Sequence, residues 1–349
     1  MFRGNPQQTG STEATLPDRL AVRWKATAPD GVSSTAAIVG GVVYVGSDGG
    51  ELLALDLATG AERWRFKATE AIRSSPTVAE GVVYFGDGDG VFFAVSAADG
   101  AEKWRFDTQG EIISSAHVVD VSGASRVVFG SYDGNLYCLS TDSGKVVWRF
   151  EMADRVHGAA AIVDGAALAS GCDGFLHIID LKDGVARANV ELGAPTPASP
   201  AVENGRAIFG VYDESVVCVD IANAKVAWRF HDAENPGSYL SSAAVRDDVV
   251  IVAGHDKQVR RLDSATGEQV WSKPVKKRVE ASPVIVGDRV FVGTAGGELI
   301  AFTLSDGSER FRFETGAGIY ASPAVVDRAL VIGAGDGVIY CLGEPTPEE

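Results

Sequence analysis

Residues 33–67 read SSTAAIVGGVVYVGSDGGELLALDLATGAERWRFK, and this stretch decides the fold. Ser33-Ser34 opens a short apolar run that ends at Val39, and Gly40-Gly41 breaks it. Val42 to Val45 is a second run, closed by Asp48-Gly49-Gly50. Leu52 to Leu55 is a third, closed by Thr59-Gly60, and Trp64-Arg65-Phe66 is the fourth. Short runs of Val, Leu and aromatic residues punctuated by Gly and Asp predict antiparallel strands. Gly-Gly and Asp-Gly supply the positive φ values that tight hairpins require.

The same unit recurs along the chain. Trp24, Trp64, Trp104, Trp148, Trp228 and Trp271 follow one another at 40, 40, 44, 80 and 43 residues. The longest interval divides at Ala188, in the matching segment Asp183-Gly184-Val185-Ala186-Arg187-Ala188, and Phe311 follows Trp271 by 40 residues. A period of 40–44 residues holding four short strands predicts one propeller blade per repeat. The opening pair returns at Ser74-Ser75, Ser114-Ser115, Gly158-Ala159, Ser199-Pro200, Ser241-Ser242, Ser282-Pro283 and Ser322-Pro323, which with Ser33-Ser34 makes eight units.

After Ser322 only three strands remain, while Ala21-Val22-Arg23-Trp24-Lys25 is an outer strand with no blade before it. Pairing the two closes the ring and leaves no free sheet edge. The expectation is an all-β, eight-bladed propeller filling residues 1–349 as one domain. Its blades are expected near 33–67, 74–107, 114–151, 158–191, 198–231, 241–273, 281–314 and 321–343, with a closing strand near 20–27 and a disordered tail at 344–349. With no edge to share, a monomer is expected.

The formal charge of −16 opposes binding to nucleic acid. No apolar run is long enough to span a bilayer. The N-terminus has no basic region followed by an apolar stretch, so the sequence as written carries no signal peptide. It stays in the cytoplasm unless an export signal was removed or lies upstream. Four cysteines do not make a disulfide scaffold.

The segment Ala54-x-Asp56-x-x-Thr59-Gly60-x-x-x-Trp64 resembles the tryptophan-docking motif of the quinoprotein (PQQ)-like propeller family, and it returns in altered form in most blades. The large side chain on the outer strand is expected to cover the junction between blades, opposite a small residue: Ala54, Ala94, Cys138, Cys218, Ala301 or Cys341. Trp24, Trp64, Trp104, Trp148, Trp228, Trp271 and Phe311 are therefore structural, and the blade holding Ala188 is expected to be the softest.

The resemblance implies two destinations. Dehydrogenases of the family use PQQ with calcium, a vicinal cysteine pair and long inter-strand insertions. This chain has no Cys-Cys pair, and its blades are near minimal length. No H-E-x-x-H or G-x-S-x-G motif appears, so no catalytic residue, cofactor or metal is assigned. The run Gly86-Asp87-Gly88-Asp89-Gly90 occupies a hairpin slot and is read as a turn. The non-enzymatic, BamB-like members imply a protein-interaction scaffold of the cell envelope, with the periplasm as compartment if a signal was removed. A small-ligand sensor is the alternative.

Binding is expected on the loops that lead from each outer strand to the next inner strand. Their variable position holds Val32, Arg73, Ile113, His157, Pro197, Leu240, Glu280 and Tyr320, with Arg155 and Tyr239 nearby. A second candidate is a basic patch containing Lys257, Arg260, Arg261, Lys276, Lys277 and Arg278. With Lys273, and against Asp263 and Glu268, residues 257–278 carry a balance of +5. Such a patch suits an acidic or anionic partner; the competing reading is a solvated strand face.

Overall fold

A computed structural model describes residues 3–345. Residues 346–349 of the expected tail lie outside the described residues. Thirty-three strands form eight sheets, each holding one four-stranded antiparallel blade. The first blade runs Ala37–Val39, Val42–Gly46, Glu51–Asp56 and Glu62–Lys67 from the inner strand to the outer. The second and third strands are buried almost throughout, because each is sandwiched between neighbouring blades. Strands covered on both faces read as continuous apolar runs, whereas the outer strand alternates exposed and half-buried residues.

The ring closes as the sequence predicts. Ala21–Thr27 pairs antiparallel with Val338–Gly343 and supplies the outer strand of the eighth blade. Two chain ends thus share one sheet, and unzipping the ring requires breaking that sheet's hydrogen bonds.

The blades are joined by the tryptophans. Each indole N–H donates to a backbone carbonyl of the following blade. Trp24 reaches Leu57 O at 2.8 Å, Trp64 Ala97 O at 3.1 Å, Trp104 Thr141 O at 2.7 Å, Trp148 Leu181 O at 2.9 Å, Trp228 Ser264 O at 3.0 Å and Trp271 Leu304 O at 2.9 Å. The ring lies on the turn glycine of that same blade. A Cβ on Gly60 would sit 2.6 Å from Trp24, and one on Gly144 2.6 Å from Trp104. The motif glycine therefore provides room for its neighbour's indole as well as a positive φ.

The N-terminal segment, which belongs to no repeat, lines the channel. The carbonyls of Pro6, Gln7, Thr9 and Gly10 accept from Ile162, Val202, Val245 and Ile285 N–H at 2.7–2.8 Å. These four donors sit at one repeated place on the inner strands of blades four to seven. Ser11–Thr12 adds a parallel strand to Val284–Val286, and Thr15 O accepts from Arg328 N–H at 2.7 Å in the last blade. Gln8 is fully buried, and its side chain bonds Ala159 O and Ala160 O at 2.9 Å.

Candidate functional site

The loops that enter each blade and the turns between second and third strands lie on one face. Eight hydrogen bonds tie them, from Asp48 N–H to Gly31 O in the first blade to Gly335 N–H to Gly318 O in the last. This face carries the channel mouth, a cavity of about 160 Å³. Arg73, His157, Glu280 and Tyr320 line it together with Ile113, Pro197 and Leu240, so one repeated position does encircle the mouth. In the first blade that position is Ser33, not Val32. Val32 is wholly buried and packs as Ile72 and Ile319 do, against the glycine that ends the second strand of the preceding blade.

Tyr239 is likewise not a rim residue. It is 1% exposed and occupies the same inward column as Ile72, seated on Gly210. Adjacent residues of an extended segment point to opposite sides; Leu240 faces the mouth, so Tyr239 cannot. Arg155 is exposed but lies outside the mouth, with its guanidinium over the Tyr132 ring at 5.3 Å. Tyr132 holds His157 in place, its hydroxyl 2.6 Å from Nδ1. Burial lowers the His157 pKa to about 4, so the imidazole is neutral at neutral pH.

Arg73 pairs with Glu111 at 2.9 Å, and Glu280 is held by Arg278 at 2.5 Å, with His255 Nε2 3.5 Å away. The throat beneath is a belt of hydroxyls. The N–H of Thr35 donates to Ser75 Oγ at 3.0 Å and that of Ser75 to Ser115 at 3.1 Å. Ala159 donates to Ser199 at 2.9 Å, Ser199 to Ser242 at 3.0 Å and Ser242 to Ser282 at 3.1 Å. Ser282 donates to Ser322 and Ser322 back to Thr35 Oγ1, both at 3.0 Å. The belt breaks once, at Ala159, which has no hydroxyl. In the first blade it uses Thr35, so the repeated pair there is Ser34-Thr35, one residue later than the sequence reading placed it.

The basic patch divides. Arg260 is fully buried, bonded to Asp256 and 2.6 Å from Asp232, with Nε on Gln269 at 3.1 Å. Arg261 faces Trp271 across the sheet, as the column predicts. Its guanidinium reaches Leu304 O at 3.2 Å and Asp248 at 3.0 Å. Leu304 O also accepts the Trp271 indole, so Arg261 reinforces a blade junction. The third strand Gln258–Asp263 is covered on both faces by neighbouring blades, which removes both arginines from the patch. Lys257, Lys276, Lys277 and Arg278 are exposed, and the loop and turn that carry them are on the mouth face. Lys276 pairs with Glu298 at 3.0 Å.

Asp87 closes its turn with its own carboxylate, which accepts from Asp89 N–H at 3.2 Å and Val91 N–H at 2.9 Å. Cys138, Cys218 and Cys341 are free and buried, and burial raises their pKa values to about 12, 12 and 11. Arg3, in the channel segment, escaped the sequence reading. It is 6% exposed, and its guanidinium contacts the carbonyls of Gln8 at 3.0 Å, Ser242 at 3.5 Å and Ala243.

A family model described as outer membrane protein assembly factor BamB matches residues 17–140, 113–282 and 255–344. The BamB of Burkholderia pseudomallei is 30% identical over 159 residues, 45% of this chain and 39% of that protein. The match thus spans less than half of that relative's length. The crystal structure of BamB from Moraxella catarrhalis superposes with a TM-score of 0.78 at 19% identity, covering 93% of this chain and 98% of the other. A europium-containing methanol dehydrogenase gives a TM-score of 0.81 at 13% identity, covering 99% of this chain and 97% of the other. At these identities the two structures share the fold, which does not fix function. The family match covers nearly the whole propeller, and the chain belongs to the BamB family of quinoprotein-like β-propellers.

Proposed function

We propose that the protein is a non-catalytic scaffold for protein assembly in the cell envelope, and that it docks its partner on the channel-mouth face. The observation that carries this reading is the BamB family match across residues 17–344. The mouth is compatible with it. Arg73 and Tyr320 stand exposed around a shallow opening, and Lys257, Lys276, Lys277 and Arg278 adjoin it. Loop side chains on a rigid scaffold are free to serve recognition, and this set favours an acidic partner segment.

The mouth does not fit PQQ with calcium. Its one lining carboxylate, Glu280, is tied to Arg278. Among the described residues no three His, Cys, Asp or Glu side chains converge to hold a metal.

Site-specific photocrosslinking tests the proposal. A crosslinking residue at Tyr320 or at Lys277 should capture an outer-membrane assembly component in envelope preparations. The same residue at Asn204, in a turn on the opposite face, should not. Equal capture from both faces, or none from the mouth, would refute the docking surface.

A further inference from the structure

We infer that the throat of the channel binds a small oxyanion, a carboxylate or a phosphate, on its hydroxyl belt. Each of the seven belt hydroxyls accepts one backbone N–H from the preceding link. None donates its own proton to an acceptor among the described residues. All seven are more than nine-tenths buried, and all line the cavity of about 160 Å³. A hydroxyl that accepts one N–H keeps its O–H as a free donor. These donors converge on one open cavity, where an oxyanion can take them in place of water through charge-assisted hydrogen bonds.

The charge beneath the belt has the matching sign. Arg3 is buried against carbonyls alone, and no carboxylate lies within ion-pair distance of it among the described residues. One of its contacts is the carbonyl of Ser242, whose hydroxyl is in the belt. Arg3 also lines a second channel cavity of about 240 Å³, which shares Thr35 with the throat. A buried cation without a counter-ion is unfavourable, and its field in a low-dielectric channel is felt strongly. An oxyanion on the belt would supply that counter-charge while taking the free O–H donors. Glu280, the carboxylate on the mouth, is already neutralised by Arg278.

The test is titration of the full chain at low salt with inorganic phosphate and, separately, with acetate. Binding is followed by calorimetry and by the 31P linewidth of the phosphate. Three variants are compared: the double variant Ser199→Ala/Ser242→Ala, Arg3→Gln, and Lys145→Ala/Lys182→Ala, exposed at third-to-fourth-strand turns away from the mouth, as a surface control. Ala159 shows that the belt position accepts alanine, and circular dichroism confirms folding. The expected result is saturable binding of at least one anion, weakened about tenfold or more in the serine variant. Arg3→Gln should weaken it too, and the lysine control should leave it unchanged. Phosphate alone or acetate alone binding in this pattern identifies which oxyanion the throat accepts. Binding lost only in the lysine control, binding equal in all variants, or no binding of either anion would each overturn the inference.

Discussion

Two neighbouring blade junctions solve the same packing problem in opposite ways. Between blades three and four, Trp148 lies over Gly184, faces Cys138 across its own sheet, and donates its indole N–H to Leu181 O. Between blades four and five the indole is absent. Ala188 stands in its place, opposite Ile178, and the turn of blade five carries Ala224 where other blades have glycine. Ala224 holds a φ of 48° in the left-handed region. Ala188 and Ala224 pack against one cluster that includes Leu176, Ile178 and Leu192. Three positions have changed together: the large residue became small, the small facing residue became large, and the glycine that made room gained a methyl. Ile178 and the Ala224 methyl refill part of the indole's space, but the indole's hydrogen bond between blades is not replaced. Arg229 donates to Leu192 O across this junction from an exposed outer strand, a weaker clasp than a buried indole.

The largest effect is expected where the indole is present. Trp148→Ala should cost about 3–5 kcal/mol, because it removes a 7%-exposed ring and leaves a cavity over Gly184. Chemical denaturation measures it. Gly184→Val should be similarly harmful, since its Cβ would lie 2.8 Å from the Trp148 ring. If the two losses add fully in the double variant, the ring and the glycine do not form one unit, and the comparison fails.

An intermediate effect is expected on forcing the indole into the junction that lacks it. Ala188→Trp alone should destabilise by about 1–3 kcal/mol, because Ile178 and the Ala224 methyl occupy the space it needs. Adding Ile178→Ala and Ala224→Gly should recover most of that loss. A single variant as stable as the parent would show that the junction is loosely packed instead of repacked.

The fold was legible because eight repeats reinforced one reading, and the unpaired strand around Trp24 made closure a matter of counting. The mouth was partly legible. Arg73, His157, Glu280 and Tyr320 share one repeat position, so locating one located the rest. The failures had two causes. Tyr239 is one residue from the mouth-facing Leu240, and a period of two turns such a slip into a change from surface to core; Arg260 and Arg261 sit on a third strand covered on both faces, where no phase leads to the surface. In the first blade, reading Ser33-Ser34 for Ser34-Thr35 put Val32 on the rim by the same slip. Arg3 and Gln8 were illegible for another reason. Residues 3–16 repeat nothing, and their partners are backbone groups of five blades, which no side-chain pattern announces. The glycine-to-alanine change at Ala224 was visible in the sequence. Its meaning was not, because the indole it would meet belongs to the preceding repeat.

The smallest effect concerns local opening, where the two junctions differ by about one hydrogen bond, on the order of 0.5–1.5 kcal/mol. Native-state hydrogen exchange reports such differences amide by amide. Amides of Phe175–Asp180 and Ala186–Glu191 should exchange up to about tenfold faster than those of Asn135–Ser140 and Val146–Glu151. Both pairs of strands sit in equivalent places with equivalent ladders, so ladder geometry cancels and the junction remains as the variable. Equal protection would mean that Ile178 and Ala224 fully replace the indole, and that the bond to Leu181 O adds nothing its neighbour lacks. Faster exchange confined to the fourth blade would locate the soft point of the ring at the junction where the tryptophan is missing. Faster exchange spread through the fifth blade as well would place the weakness in the shared Ala188–Ala224 contact, since both blades open when that contact does.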